Sequence, residues 1–246
     1  MQEIDIITRN FFRLMRSGAL NEYVELEPMS AFKWNRLIEI VALQDVISVA
    51  SRAIKNQQYD KKFNMPVSLR EKVHEEAART TSQKISLDMN NSLLKKKLEK
   101  IHAIEQHSAD FSLETLTLFD YIIANCQATL NKGTSTKLII RLGNYIRTHA
   151  DKIDYTKINK WLHEVQMSRV AQLVGSILIS NFSFKSEEVP FVKRIDPKAA
   201  LVMMQCIMNR RQEKHNRGIT YFEYAPLENA SIILGRLKTR LEAIDE

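Results

Sequence analysis

From Val170 to Ile179 the chain reads VAQLVGSILI, apolar over most of the circumference a helix would present. A helix without a polar face cannot lie on a surface and has to be enclosed by other elements. Upstream, Ile158, Trp161, Leu162 and Val165 recur at i, i+3, i+4 and i+7, the spacing of one helical face. Asp154 precedes them, a residue whose carboxylate suits an N-cap. The phase breaks at Gln166 and Met167, and Ser168 offers a fresh cap. Residues 153–184 therefore read as two helices at a corner, with 168–181 as the buried hub of the fold.

Two helices with a short connection also describe a DNA-reading helix-turn-helix, whose second helix needs polar side chains on its free face. Arg169, Gln172 and Ser176 are the only candidates here, and apolar residues occupy the rest. The corner reads as core.

Only six glycines and five prolines interrupt 246 residues, so long helices fit better than many short strands. The expected fold class is all-α: a multi-helix assembly with a buried central helix and helix content above ~60%. A long protruding helix and one short hairpin or ordered loop are expected as attached features. A single helical domain over 1–246 is expected, with sub-units 1–66, 67–107 and 108–246. No apolar run reaches the ~20 residues a membrane span needs, and charges interrupt the N-terminus where a signal peptide would be apolar. A cytoplasmic protein is the expectation. Cys126 and Cys206 read as buried small hydrophobes.

Along the chain, helix 3–16 should end at Gly18, Ser30 should cap the next, and Asp45 should mark a corner. Residues 56–66 look like a linker. Residues 67–107 contain no glycine or proline and could form one helix of ~60 Å, or two broken near 80–90. Leu94, Leu98 and Ile101 lie on a heptad-like stripe there and are the candidate contact for a partner helix. Lys95, Lys96, Lys97 and Lys100 read as a solvated face. Ser112 opens a helix that Gly133 closes, and Ser135 or Thr136 opens the next. Asp196-Pro197 is a helix start, and Ile233, Leu234, Leu237, Leu241 and Ile244 mark the last helix.

No catalytic constellation is apparent. His102 and His107 are badly spaced as metal ligands, GTSTK at 133–137 lacks the earlier glycine of a phosphate loop, and neither cysteine has a histidine at diagnostic spacing. No cofactor and no metal are expected. The best polar cluster is Arg210, Arg211, Lys214 and Arg217, followed by Tyr221, Phe222 and Tyr224, a pairing of cations with aromatics that can hold a polyanion.

NFFRLMRSG, followed by WNRLIEIVALQDVISVASRAI, resembles the helical leader of the nucleotidyltransferase-like proteins of Bacteroides-type bacteria. LGNYIRTHADKIDYTKINKWLHEVQMSRVAQLVGSILISNFSF is similar to the helical region after their catalytic core. The Gly-Ser turn and paired-Asp metal site of that family have no counterpart between these stretches, where only Asp110 and Asp120 stand. The resemblance thus implies a core-deleted, non-catalytic relative, with a nucleotidyltransferase-like enzyme as the alternative. The expected role is protein interaction, with another protein or by self-association. A net charge of +7 leaves nucleic acid a weaker alternative.

Overall fold

The computed structural model describes residues 5–20, 22–80, 87, 89–131, 133–208 and 222–242. The fold is all-α: the described residues form eleven α-helices and two short 3-10 turns, are 72% helical and contain no strand. They form two compact units, Met1–Lys84 with Met203–Arg210, and Ile85–Val202 with Arg211–Glu246. The division falls inside the 67–107 stretch. Two helices occupy that stretch, α4 (Val67–Arg79) and α5 (Ser92–Gln106), so the single long helix does not form.

The first unit contains α1 (Ile6–Ala19), α2 (Ala31–Leu43), α3 (Ile47–Asn56) and α4, with α1 against α2 and α3, and α3 against α4. Asp5 caps α1, its Oδ1 accepting from the Ile7 and Thr8 amides at 2.8 and 3.2 Å. Gly18 does not end α1, which continues to Ala19. Its role is close approach, since a Cβ there would collide with the Val49 carbonyl oxygen of α3. Arg52 Nε and Asn56 Nδ2 of α3 donate to the Gly18 and Ser17 carbonyls at 2.8 and 3.0 Å, satisfying acceptors that a helix end leaves open.

Residues 22–29 have no regular structure yet are firmly held. Asn10 donates to Glu27 O and accepts from Glu27 N, at 2.8 and 2.9 Å. Gln57 Nε2 donates to Val24 O at 2.9 Å. Asn64 donates to Met29 O, while its Oδ1 accepts from Met29 N and from Trp34 Nε1. Side-chain amides, those of Asn10 and Gln57 buried, thus replace the backbone partners an irregular segment lacks. The 56–66 segment, which contains Gln57 and Asn64, is a clamp as well as a connection. Gln44 of the C-cap of α2 donates through Nε2 to Cys206 O at 2.9 Å, and Cys206 Sγ donates to Gln44 Oε1 at 3.3 Å.

The second unit is built on α6 (Leu113–Asn131) and α9 (Ser168–Phe182), flanked by α7 (Thr136–His149) and α8 (Tyr155–Glu164). α6 packs against α7, α8 and α9, and α9 against α6, α7 and α8. The hub role read for α9 is therefore shared with α6, the longest described helix. In α9, Val170, Ala171, Leu173, Val174, Ile177 and Leu178 are all buried. α10 (Ala199–Met208) and α11 (Pro226–Glu242) follow. Residues 199–202 of α10 belong to the second unit and 203–208 to the first.

The α2/α3 and α8/α9 corners share one geometry. Asp45 and Gln166 take φ of 54° and 55°, and the next amides, of Val46 and Met167, bond back to Val41 O and Leu162 O. This is a Schellman close, with a buried apolar residue immediately after the left-handed one. Ser168 is the first residue of α9 and does not cap it; Met167 holds the cap position without a side-chain bond. Residues 183–198 form an ordered loop with a 3-10 turn at Ser186–Glu188, and Val189 and Phe191 lie over α9 at Gly175.

Candidate interaction surface

Leu94, Leu98 and Ile101 are 1%, 6% and 4% exposed, so they belong to the interior of the second unit and are not a free seam for a partner. The heptad-like stripe of α5 is its core face, because α5 is one helix among several with an apolar side to bury. Arg210, Arg211, Lys214 and Arg217 lie outside the described residues. At the α8/α9 corner, Ser176 is buried with its Oγ accepting from Asp196 N at 2.9 Å, and Arg169 Nη1 donates to Glu223 O at 2.7 Å. Two of the three side chains that would read DNA, Ser176 and Arg169, are thus engaged within the fold.

The polar clusters are fastenings. Lys157 Nζ stands 2.8 Å from Glu105 Oε1 and 3.1 Å from Asp110 Oδ2, and also donates to Asp110 O. Glu105 is buried and additionally accepts from Ser112 N at 3.2 Å. Ser108, ahead of Lys157, holds the Asp110 carboxyl below its usual range. Tyr121, Tyr145 and His149 form a row of half-buried rings, with centroids 5.1 and 4.2 Å apart, where α7 meets α6. Burial raises the Tyr145 hydroxyl above its usual pKa and pushes that of Tyr155 up to about 12. Cys126 is fully buried, which holds its thiol far above the ordinary range and makes it a poor nucleophile. Cys206 is only half-buried, a partial departure from the sequence reading. Among the described residues, no three His, Cys, Asp or Glu side chains are placed to hold a metal ion.

His102 Nε2 lies 2.9 Å from Asp120 Oδ1, tying α5 to α6. Hydrogen bonding to Asp120 raises the imidazole pKa above 6.5, outweighing its partial burial. Protonated His102 is favoured by folding, so its contribution is complete below about pH 6.5 and fades as pH rises through the raised native value. Asp120→Asn should lower the melting temperature most near pH 6, and the gap to the unsubstituted protein should narrow towards pH 9. A gap that widens with pH would contradict the pairing.

α11 differs from the other helices of the second unit. One face is fixed: Glu228 is fully buried and accepts from Asn90 N, Asn90 Nδ2 and Asn91 N at 2.6, 3.0 and 2.9 Å. Asn91 Nδ2 donates to Ser231 Oγ at 3.0 Å, and Arg236 Nη2 to Asn131 O at 2.8 Å. Asn229 and Ile232 are buried on the same side. On the opposite side Leu227, Leu234 and Leu237 are 44%, 66% and 49% exposed, with Ala230 half-buried between them. Positions 227, 230, 234 and 237 step by three and four, the a/d spacing of a coiled coil, and Leu241 is next in the series. The spacing is visible in the sequence. Spacing alone does not say whether such a face is covered. Compared with protein-family models, curated proteins and solved structures, the chain matches none.

Proposed function

We propose that this chain is a non-catalytic helical protein that acts by binding another helix along the leucine face of α11. The observation that supports it is that row of exposed leucines opposite a face already fixed by Glu228 and Ile232. Single exposed leucines are ordinary, but three at heptad spacing, each about half exposed, leave unused roughly half of the ~1.5–3 kcal/mol that full burial of a leucine contributes. The polar groups described above are engaged with one another, which fits a structural role for them. The non-catalytic part of this reading is also what the resemblance to the nucleotidyltransferase-like proteins implies.

The test is recovery from a native extract with three baits: the unaltered chain, Leu234→Glu/Leu237→Glu, and Arg210→Glu/Arg211→Glu/Lys214→Glu. The leucine variant should lose a protein that the other two retain, with or without nuclease. Both leucines are exposed, so its circular dichroism should be unchanged. Identical recovery by all three baits, or nuclease-sensitive loss confined to the arginine variant, would remove this reading in favour of none or of polyanion binding.

A further inference from the structure

We infer that α5 opens as a separate piece of the second unit, exposing Leu94, Leu98 and Ile101 while α6 to α9 stay packed. Four of its fifteen residues are buried, Leu94, Leu98, Ile101 and Glu105, and the last is a carboxylate. By contrast, α6 buries twelve of nineteen and α9 nine of fifteen. Leu93 and Ile104, two more apolar side chains of α5, stand 64% and 60% exposed. Three apolar side chains are therefore what offsets the ordering of a helix of about four turns, which costs conformational entropy at every residue.

The other attachments of α5 are polar and come from three helices. Lys97 Nζ donates to Glu164 O of α8 at 3.1 Å, and Lys157 Nζ of α8 reaches Glu105. His102 is paired with Asp120 of α6. Glu228 and Ser231 of α11 bond to Asn90 and Asn91, just ahead of the first turn. Opening exchanges these bonds for bonds to water, so each contributes only a modest net amount to keeping α5 closed. Even Glu105 and Lys157 regain their hydration on release, which offsets much of their attraction. Apolar packing has no such substitute in water, and it is what joins α6 to α7, α8 and α9.

One other helix of the second unit, α8, is short of buried residues but is fixed differently. Its Trp161 ring meets Phe119 of α6 edge-on, with centroids 5.3 Å apart, and Ile158, Leu162 and Val165 are buried. Residues 107–112, which follow α5, are not helical, so α5 can leave without unwinding α6.

Hydrogen exchange on the purified full chain, followed by NMR at rising sub-denaturing urea, tests this. Amides of residues 98–102 should exchange at least about tenfold faster, relative to their intrinsic rates, than the slowest amides of α6 and α9. Their opening should also depend less on urea, because the slope scales with the surface exposed. A smaller difference in rate, or a urea slope equal to that of α6 and α9, overturns the proposal. Leu178→Ala, at the contact of α9 with Gly143 of α7, supplies a second check. It weakens packing that an α5 opening leaves intact, so it should speed exchange in α9 and leave α5 unchanged. Acceleration of both helices by the same factor would mean that α5 opens only when the whole unit does.

Discussion

Gly18→Ala is expected to destabilise the first unit by roughly 3 kcal/mol or more, at the upper end of overpacking effects. The added methyl would overlap the Val49 carbonyl oxygen, which is backbone and cannot rotate aside. Arg52 and Asn56, bonded to the last carbonyls of α1, oppose the separation of α1 from α3 that would relieve the clash. For a unit of this size that corresponds to a melting temperature lower by about 12 °C or more. The two tryptophans fall one in each unit, Trp34 and Trp161, both buried. Fluorescence in a Trp161→Phe background therefore follows the first unit alone. The same exchange at Gly235, in the second unit and therefore followed by Trp161 in a Trp34→Phe background, provides a control of opposite sign. Nothing lies within 4 Å of a Cβ there, so alanine should add about 0.5–1 kcal/mol through helix propensity. If Gly18→Ala melts within a degree of the parent, the helices do not cross at backbone contact.

Glu228→Ala should weaken the second unit by about 3 kcal/mol, followed by Trp161 in a Trp34→Phe background. The carboxylate accepts three hydrogen bonds at the start of α5, where the free amides of a helix N-terminus favour negative charge. Alanine would take the acceptor from the Asn90 and Asn91 backbone amides and leave the Asn90 side chain with Asn131 Oδ1 alone, beside a new cavity. Glu228→Gln retains the shape but turns an amide donor towards a backbone donor, so it should fall between alanine and the parent. A change under about 0.5 kcal/mol for alanine would mean that solvent replaces the carboxylate at these amides at little cost.

Features governed by local chemistry were legible in the sequence. Asp5, Ser30, Asn91, Ser135 and Asp154 cap the helices they precede, and of these Ser30, Ser135 and Asp154 are evident from the run of apolar residues that follows. The Asp45 corner and the end of α6 before Gly133 follow from phase breaks and a turn residue. Features governed by what lies across the interface were not legible. Gly18 at the end of a periodic run looks like a C-cap whether or not another backbone presses on it. Leu94, Leu98 and Ile101 form a stripe that is the same for a core face as for a docking face, and only their burial distinguishes the two. Leu227, Leu234 and Leu237 present the converse case, with one spacing and the opposite exposure. Periodicity shows that a helix has an apolar side; what covers that side depends on tertiary packing.

The pairing of Gln44 with Cys206 bears on how a nascent chain acquires this fold. The two residues are 162 positions apart, and Met203 and Ile207, both buried, are made equally late. At ~5–20 residues per second a ribosome delivers Gln44 about 8 to 30 s before Cys206. For that interval α1 to α4 exist without the final pieces of their own unit, while all of 85–202 is synthesised in between. Closing so long an unstructured loop carries an entropic penalty that grows with its length. Once 85–202 has folded, much of that loop is no longer free chain, so vectorial synthesis favours folding of that stretch before the first unit closes, with α11 joining the second unit last.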